Sequence, residues 1–197
     1  MEPTPLGEIL KRGPSSPRPI SLDLSLTGRS PSDRADVPER YRCWCLDDYP
    51  APKVQRIQAW AVGDLWSLFL TGSPGTRKSS VAAAIIGAAA VPRMFVAPDR
   101  AVARIREMCD WWIEQAKTIP LLVLDDLASF RATPFVHEVL LSILAKRYDN
   151  FRKTIITSNA SLADIGKWLD PRLADRLREG LVMFSGRESR RESGNDQ

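Results

Sequence analysis

The sequence predicts an α/β protein, a three-layer αβα sandwich around a five-stranded parallel sheet. Three observations predict it. Five short runs, Trp66–Thr71, Arg93–Ala97, Leu121–Leu124, Thr154–Thr157 and Leu181–Phe184, are mostly apolar, as strands covered on both faces must be. The segments between them, 78–90, 100–117, 134–149 and 161–178, are long enough for helices, and strand–helix alternation implies a parallel sheet. Polar residues cluster where three of the runs end, at the sheet edge where doubly wound folds bind ligands.

The elements follow in order. Residues 1–36 hold six prolines and many serines with no sustained period, and read as a disordered arm. Within it, Leu6–Leu10 is weakly amphipathic, and the alternating stretch from Ile20 to Leu26 is of a kind that orders on a partner. Residues 37–186 form the folded core, with a first helix over Lys53–Val62, and residues 187–197 form a tail of mixed charge. In segment 100–117, Val102, Ile105, Cys109 and Trp112 fall at helical spacing and point inward. His137 has no patterned nucleophile beside it and reads as structural.

Composition narrows the chemistry. Of 197 residues, 28 are Lys or Arg and 24 are Asp or Glu, and the excess sits in 41–185, with 19 basic against 15 acidic. That balance permits nucleic-acid contact without demanding it. One histidine rules out a two-histidine zinc site, and three cysteines suit a reducing, cytoplasmic compartment rather than a disulfide framework. Cys43 and Cys45 read as ordinary thiols. The start has no basic-then-apolar leader, and the longest apolar run, Val81–Val91, is 11 residues, too short for a bilayer span. No membrane partner is expected.

Gly72-Ser73-Pro74-Gly75-Thr76-Arg77-Lys78-Ser79 follows the first strand and opens an Ala-rich helix at Ser80. A phosphate-binding loop needs inward backbone N–H groups and a helix N-terminus. Lys78 is placed to neutralise the β- and γ-phosphates, and Ser79 to put a hydroxyl on Mg²⁺. One position departs from the pattern, since Arg77 stands where glycine lets backbone approach phosphate. Three outcomes are open. The backbone tolerates the strain, the Cβ occludes the phosphate, or the side chain swings out to reach a phosphate itself.

The third strand ends in Asp125-Asp126, where the first carboxylate suits Mg²⁺ and the second suits orienting or deprotonating a water. The fourth ends in Ser158-Asn159, with Asn159 in reach of the same edge. Arg172 and Arg176 lie four apart on one helical face that could meet a neighbouring subunit. Arg100, Arg104 and Arg106 precede Trp111 and Trp112, a combination suited to single-stranded DNA. Lys146, Arg147, Arg152 and Lys153 form a second basic group, read as surface charge.

Together these motifs resemble the AAA+ ATPases of the DnaC helicase-loader and IstB transposition-helper clade. The resemblance covers roughly 37–191. It rests on Val-Pro-Glu-Arg-Tyr-Arg from Val37, the Walker A-like loop from Gly72 and the Walker B-like Leu-Leu-Val-Leu-Asp-Asp-Leu. It rests also on Lys-Arg-Tyr before Thr-Ile-Ile-Thr-Ser-Asn, and on Asp-Pro-Arg-Leu-Ala-Asp-Arg-Leu-Arg-Glu-Gly. It implies the P-loop NTPase (AAA+) fold with strand order 5-1-4-3-2, the helical lid being absent or vestigial. It implies ATP and Mg²⁺, with Lys78, Ser79, Asp125, Asp126 and Asn159 acting in cis and Arg176 as a finger for a neighbouring copy. Arg190 would sense nucleotide from the C-terminal side. The implied partners are single-stranded DNA and a DnaB-type replicative helicase, with a transposase as the alternative. Arg77 keeps a third reading open, a nucleotide-insensitive adaptor.

Overall fold

The computed structural model describes residues 19–22, 36–130 and 133–185. Five parallel strands form one sheet: β1 Ser67–Thr71, β2 Arg93–Val96, β3 Leu121–Leu124, β4 Lys153–Ser158 and β5 Leu181–Phe184. Their order is β2-β3-β4-β1-β5, the expected 5-1-4-3-2 read from the other edge. The register sets Leu70 beside Thr157 and Leu124 beside Ile156, so the carboxyl ends of β1, β3 and β4 finish side by side.

Among the described residues, seven α-helices flank the sheet: α1 Ala51–Val62, α2 Lys78–Ala88, α3 Pro98–Arg106, α4 Asp110–Thr118, α5 Pro134–Asp149, α6 Leu162–Trp168 and α7 Pro171–Arg178. Alternate strand residues feed two cores. Leu68, Leu70, Leu121, Val123 and Ile155 face α1 and α2. Phe69, Leu122, Leu124 and Ile156 face the side built by α3 to α7. Side chains alternate faces along a strand, so a continuous apolar run is needed to fill both layers. Helix α2 is buried almost all round, from Ser80 to Ala88, and its alanines let its backbone lie close over the sheet.

Four expectations are corrected. The segment 100–117 is two helices. α3 ends with Met108 in the left-handed region at φ 49°. The Met108 and Cys109 N–H groups donate back to the Ile105 and Arg104 carbonyls at 3.0 and 3.2 Å. This is a Schellman stop built on methionine, so no glycine announced it. The segment 161–178 is also two helices. Asp170 caps α7, accepting from the Leu173 N–H at 3.0 Å, and Pro171 takes the first-turn position where its missing N–H costs nothing.

The third correction concerns the arm. Of the residues expected to be disordered, 19–22 dock on the core. Ile20 is buried and donates its N–H to the Ala61 carbonyl at 2.9 Å, while Leu22 bridges to Ala89. The rest of 1–35 lies outside the described residues.

The fourth concerns the second basic group. Arg147 and Lys153 are fully buried, not surface charge. The Arg147 guanidinium donates to Thr154 Oγ1 and to the carbonyls of Ala116, Ile119 and Lys153 at 2.7–2.9 Å. Lys153 Nζ donates to the carbonyls of Trp60, Gly63 and Leu65 at 2.6–2.9 Å. Each cation gathers main-chain carbonyls from helix ends, a strand start and the adjoining loops, which is how a buried charge is tolerated. Burial draws the Arg147 pKa down to about 9 and that of Lys153 to about 8, so both stay mainly charged at neutral pH. Among the described residues, no helix is long and apolar enough to cross a membrane.

Candidate functional site

The loop between β1 and α2 is shaped by two glycines. Gly72 lies at φ 146°, and a Cβ there would sit 2.4 Å from the Ser185 carbonyl oxygen. Gly75 lies at φ 84°. Both conformations favour a residue without a Cβ. Thr76 Oγ1 donates to the Ser73 carbonyl at 2.8 Å and pins the turn. Lys78 is almost fully buried, and its Nζ donates to the carbonyls of Gly72 and Ser73, both at 2.8 Å. Burial pushes its pKa down, and Asp126 and Asp125 oppose that shift. The ammonium thus closes over its own loop.

Arg77 resolves the three open outcomes in part. It adopts φ 63° and ψ 25° at the N-cap of α2, the left-handed conformation glycine would take at little cost. For an arginine this costs about 1–2 kcal/mol. The side chain does not turn into the loop. Its guanidinium carbon lies 4.3 Å from the centre of the Trp44 ring, a stack worth about 0.5–2 kcal/mol. The strain and the compensation are therefore of similar size.

The carboxylate pair sits at the end of β3. Thr157, on neighbouring β4, joins both members through one hydroxyl. Thr157 Oγ1 donates to Asp125 Oδ1 at 2.7 Å and accepts from the Asp126 N–H at 2.8 Å. Asp125 is buried, which pushes its pKa up, while hydrogen bonds from Ser79 and Thr157 oppose the shift. Asp126 takes the left-handed conformation at φ 49° and turns its carboxylate out of the strand line. Asn159 Nδ2 donates to Asp126 Oδ1 at 3.3 Å, and Ser129 Oγ donates to Asp126 Oδ2.

These groups share one cavity of about 760 Å³, lined by Pro74, Gly75, Arg77, Lys78, Ser79, Ser80, Asp125, Asp126 and Asn159 among the expected residues. Gly72 and Ser73 lie behind them, supplying the carbonyls that hold Lys78, and Thr76 braces the same turn. Sequence reasoning missed Pro38, Arg40, Tyr41, Asp99, Ser129 and Thr157, which also line it. Thr157 had a signal, a polar residue inside a buried run. Arg40 and Tyr41 lie in the Val-Pro-Glu-Arg-Tyr-Arg stretch that the resemblance rests on, but nothing local tied that stretch to the loop, which it reaches only through tertiary packing.

Four further candidate residues, Arg176, Arg100, Arg104 and Arg106, do not line the cavity. Arg176 is not in the cavity. Its guanidinium stacks on Tyr148 at 4.5 Å and its carbonyl accepts from Trp66 Nε1 at 2.9 Å. Arg100, Arg104 and Arg106 are exposed on α3, where Arg100 pairs with Asp36 at 2.9 Å and Arg104 with Glu107 at 3.3 Å. Arg190 lies outside the described residues.

The residues fit a magnesium nucleotide. The volume lies within the usual range for small-ligand sites. The Ser79 hydroxyl and Asp125 carboxylate are hard oxygen donors that suit Mg²⁺. Among the described residues, no group of three or more His, Cys, Asp and Glu side chains is arranged to hold a metal unaided. Mg²⁺ bound through few carboxylates and substrate phosphates needs no such group.

A parallel sheet of this order, with a glycine loop on β1 and carboxylates on β3, defines the P-loop AAA+ fold. The chain is similar to the crystal structure of the DnaC helicase loader, at 24% identity and TM-score 0.65, covering 76% of this chain and 100% of that one. It is similar to DnaI at 22% identity and TM-score 0.65, covering 78% of this chain and 93% of that one. Replication initiator DnaA bound to AMPPCP and single-stranded DNA matches at 17% identity and TM-score 0.65, covering 77% of this chain. There the chain spans about half of that protein's length, 51%. No protein-family model and no curated protein matches the sequence.

Proposed function

We propose that this chain is an ATPase of the helicase-loader type, coupling ATP binding and hydrolysis to its grip on single-stranded DNA and a replicative helicase. One observation carries the reading. Lys78, Ser79, Asp125, Asp126 and Asn159, drawn from three strand ends, converge on a single cavity. The likeness to DnaC and DnaI supports the loader over other uses of the fold.

ATP with Mg²⁺ would supply the phosphoanhydride that is broken. The chain's own residues would do the rest. Lys78 would exchange its two carbonyls for phosphate oxygens, and the helix α2 N-terminus would add its partial positive charge. Ser79 and Asp125 would hold the cation, with Thr157 fixing the Asp125 carboxylate in one rotamer. Asp126, held by Asn159 and Ser129, would orient a water and take its proton on a carboxylate oxygen. Arg176 would leave Tyr148 to serve a neighbouring copy's site. Arg100, Arg104 and Arg106 would meet the DNA backbone. The compartment would be the cytoplasm.

Equilibrium binding of a fluorescent ATP analogue with Mg²⁺, on this protein and on Arg77→Gly, tests the reading. Comparable affinity in both supports an ATPase. Binding only in Arg77→Gly makes the natural protein a nucleotide-insensitive adaptor. That second reading draws on the left-handed Arg77 and the self-bonded Lys78. No binding in either, with or without single-stranded DNA, sinks the site assignment. Helicase capture by the purified protein, compared with transposase capture, separates loader from transposition helper.

A further inference from the structure

Trp44 stands outside the nucleotide cavity, three residues after Tyr41, which lines it. The Trp44 N–H donates to the Tyr41 carbonyl at 3.3 Å, closing a turn at the end of the lead-in segment. Its ring packs against the core on the α1 and α2 side, with the Tyr49 ring centre 6.2 Å away. The Arg77 guanidinium carbon lies 4.3 Å from the centre of the same ring. One stack therefore joins the lead-in wall of the cavity, which includes Pro38, Arg40 and Tyr41, to the phosphate-side loop.

We propose that Trp44 is a positioning residue for the nucleotide site: it holds the Arg77 side chain against the lead-in, clear of the phosphate path. The inference rests on the ATP-site reading above. Its physical basis is local. Arg77 is the residue whose Cβ comes where a phosphate loop wants none, at the N-cap of α2. Its long, rotamer-rich side chain borders the cavity while its guanidinium rests on Trp44. A flat aromatic face is the surface a guanidinium stacks on. Freed from Trp44, the same arginine would sample the loop mouth, competing with Lys78 for room and covering the cradle. The stack also ties the lead-in to the loop, so that removing it would loosen two walls of the cavity together.

A double-mutant cycle tests this, read by fluorescent ATP-analogue affinity with Mg²⁺. Trp44→Ala is expected to weaken binding by about three- to thirtyfold, the equilibrium equivalent of one lost stack. Trp44→Phe, which keeps a ring, is expected to restore most of the loss. In Arg77→Gly, Trp44→Ala is expected to change nothing, because there is no side chain left to hold. A second readout needs no nucleotide. In the ligand-free protein, the Arg77 side-chain protons should show an upfield ring-current shift that Trp44→Ala abolishes and Trp44→Phe preserves. Equal losses from Trp44→Ala in both backgrounds would make Trp44 merely structural and overturn the proposal. So would unchanged affinity in the single variant, or the absence of a ring-current shift. If neither the parent nor Arg77→Gly binds, the ATP-site reading falls and takes this proposal with it, an outcome distinct from the others. Thermal melts of each variant identify any that fail to fold, and if Trp44→Ala is one of them, Trp44→Leu, which removes the ring but keeps apolar bulk, takes its place.

Discussion

A single hydroxyl, that of Thr157, holds Asp125 and Asp126 in their relative positions, donating to Asp125 Oδ1 at 2.7 Å while accepting the Asp126 N–H at 2.8 Å. The two contacts lock one carboxylate inside the protein and turn the next outward. Neighbouring residues just past the end of β3 are thereby given different environments, and so different tasks.

Thr157→Val removes that hydroxyl at nearly constant volume. It leaves the Asp126 N–H and Asp125 Oδ1 without this partner. Mg²⁺-dependent nucleotide binding should weaken about 10- to 100-fold, the usual effect of losing a group that orients a ligand. Titrating Mg²⁺ at fixed nucleotide analogue measures it. Unchanged Mg²⁺ dependence would remove Thr157 from the site.

Asp125 carries a pH prediction. Burial raises its folded pKa above the unfolded value, so ionising it opposes folding. That favourable contribution is complete below the ordinary carboxylate pKa and is lost as pH rises through the folded value. Asp125→Asn should therefore melt higher than the parent at pH 7, and the gap should close in acid. The same variant should lose Mg²⁺-dependent nucleotide binding. A lower melting temperature at pH 7 would contradict the burial argument.

Lys78→Ala should cost about 10- to 150-fold in nucleotide affinity, the equivalent of one charge-assisted hydrogen bond. It should leave the fold intact, because the Gly72 and Ser73 carbonyls beside it can reach water through the cavity. Isothermal titration with a non-hydrolysable analogue, alongside a melt, checks both halves.

Arg147→Met should behave differently from a surface basic residue. It removes the donor from the carbonyls of Ala116, Ile119 and Lys153 inside the protein, while the Thr154 hydroxyl keeps its bond to the Arg152 carbonyl. The expected cost is about 3–5 kcal/mol in denaturant unfolding, since breaking a buried charge network is among the large effects. Lys146→Met, one residue earlier and exposed, should cost less than about 0.5 kcal/mol.

Much of the site was legible because its signals are local. Gly72, Gly75, Lys78 and Ser79 lie within one turn of chain, and Asp125 and Asp126 directly follow a buried apolar run. The two helix breaks were less legible for contrasting reasons. Asp170-Pro171 carried a capping signature that was there to be read, whereas Met108 stops α3 in a conformation methionine rarely adopts.

By itself the sequence determined the strand runs, their alternation with helices, and hence the parallel sheet and its ligand-binding edge. Those follow from periodicity and burial, which every short window of chain expresses. Tertiary structure alone decided that Arg147 and Lys153 are interior cations, that Arg40 and Tyr41 wall the cavity, and that Arg77 turns onto Trp44. A charged side chain reads the same in sequence whether water or a ring of carbonyls surrounds it. Only the packing of distant segments supplies the carbonyls, and only that packing brings residue 44 to residue 77.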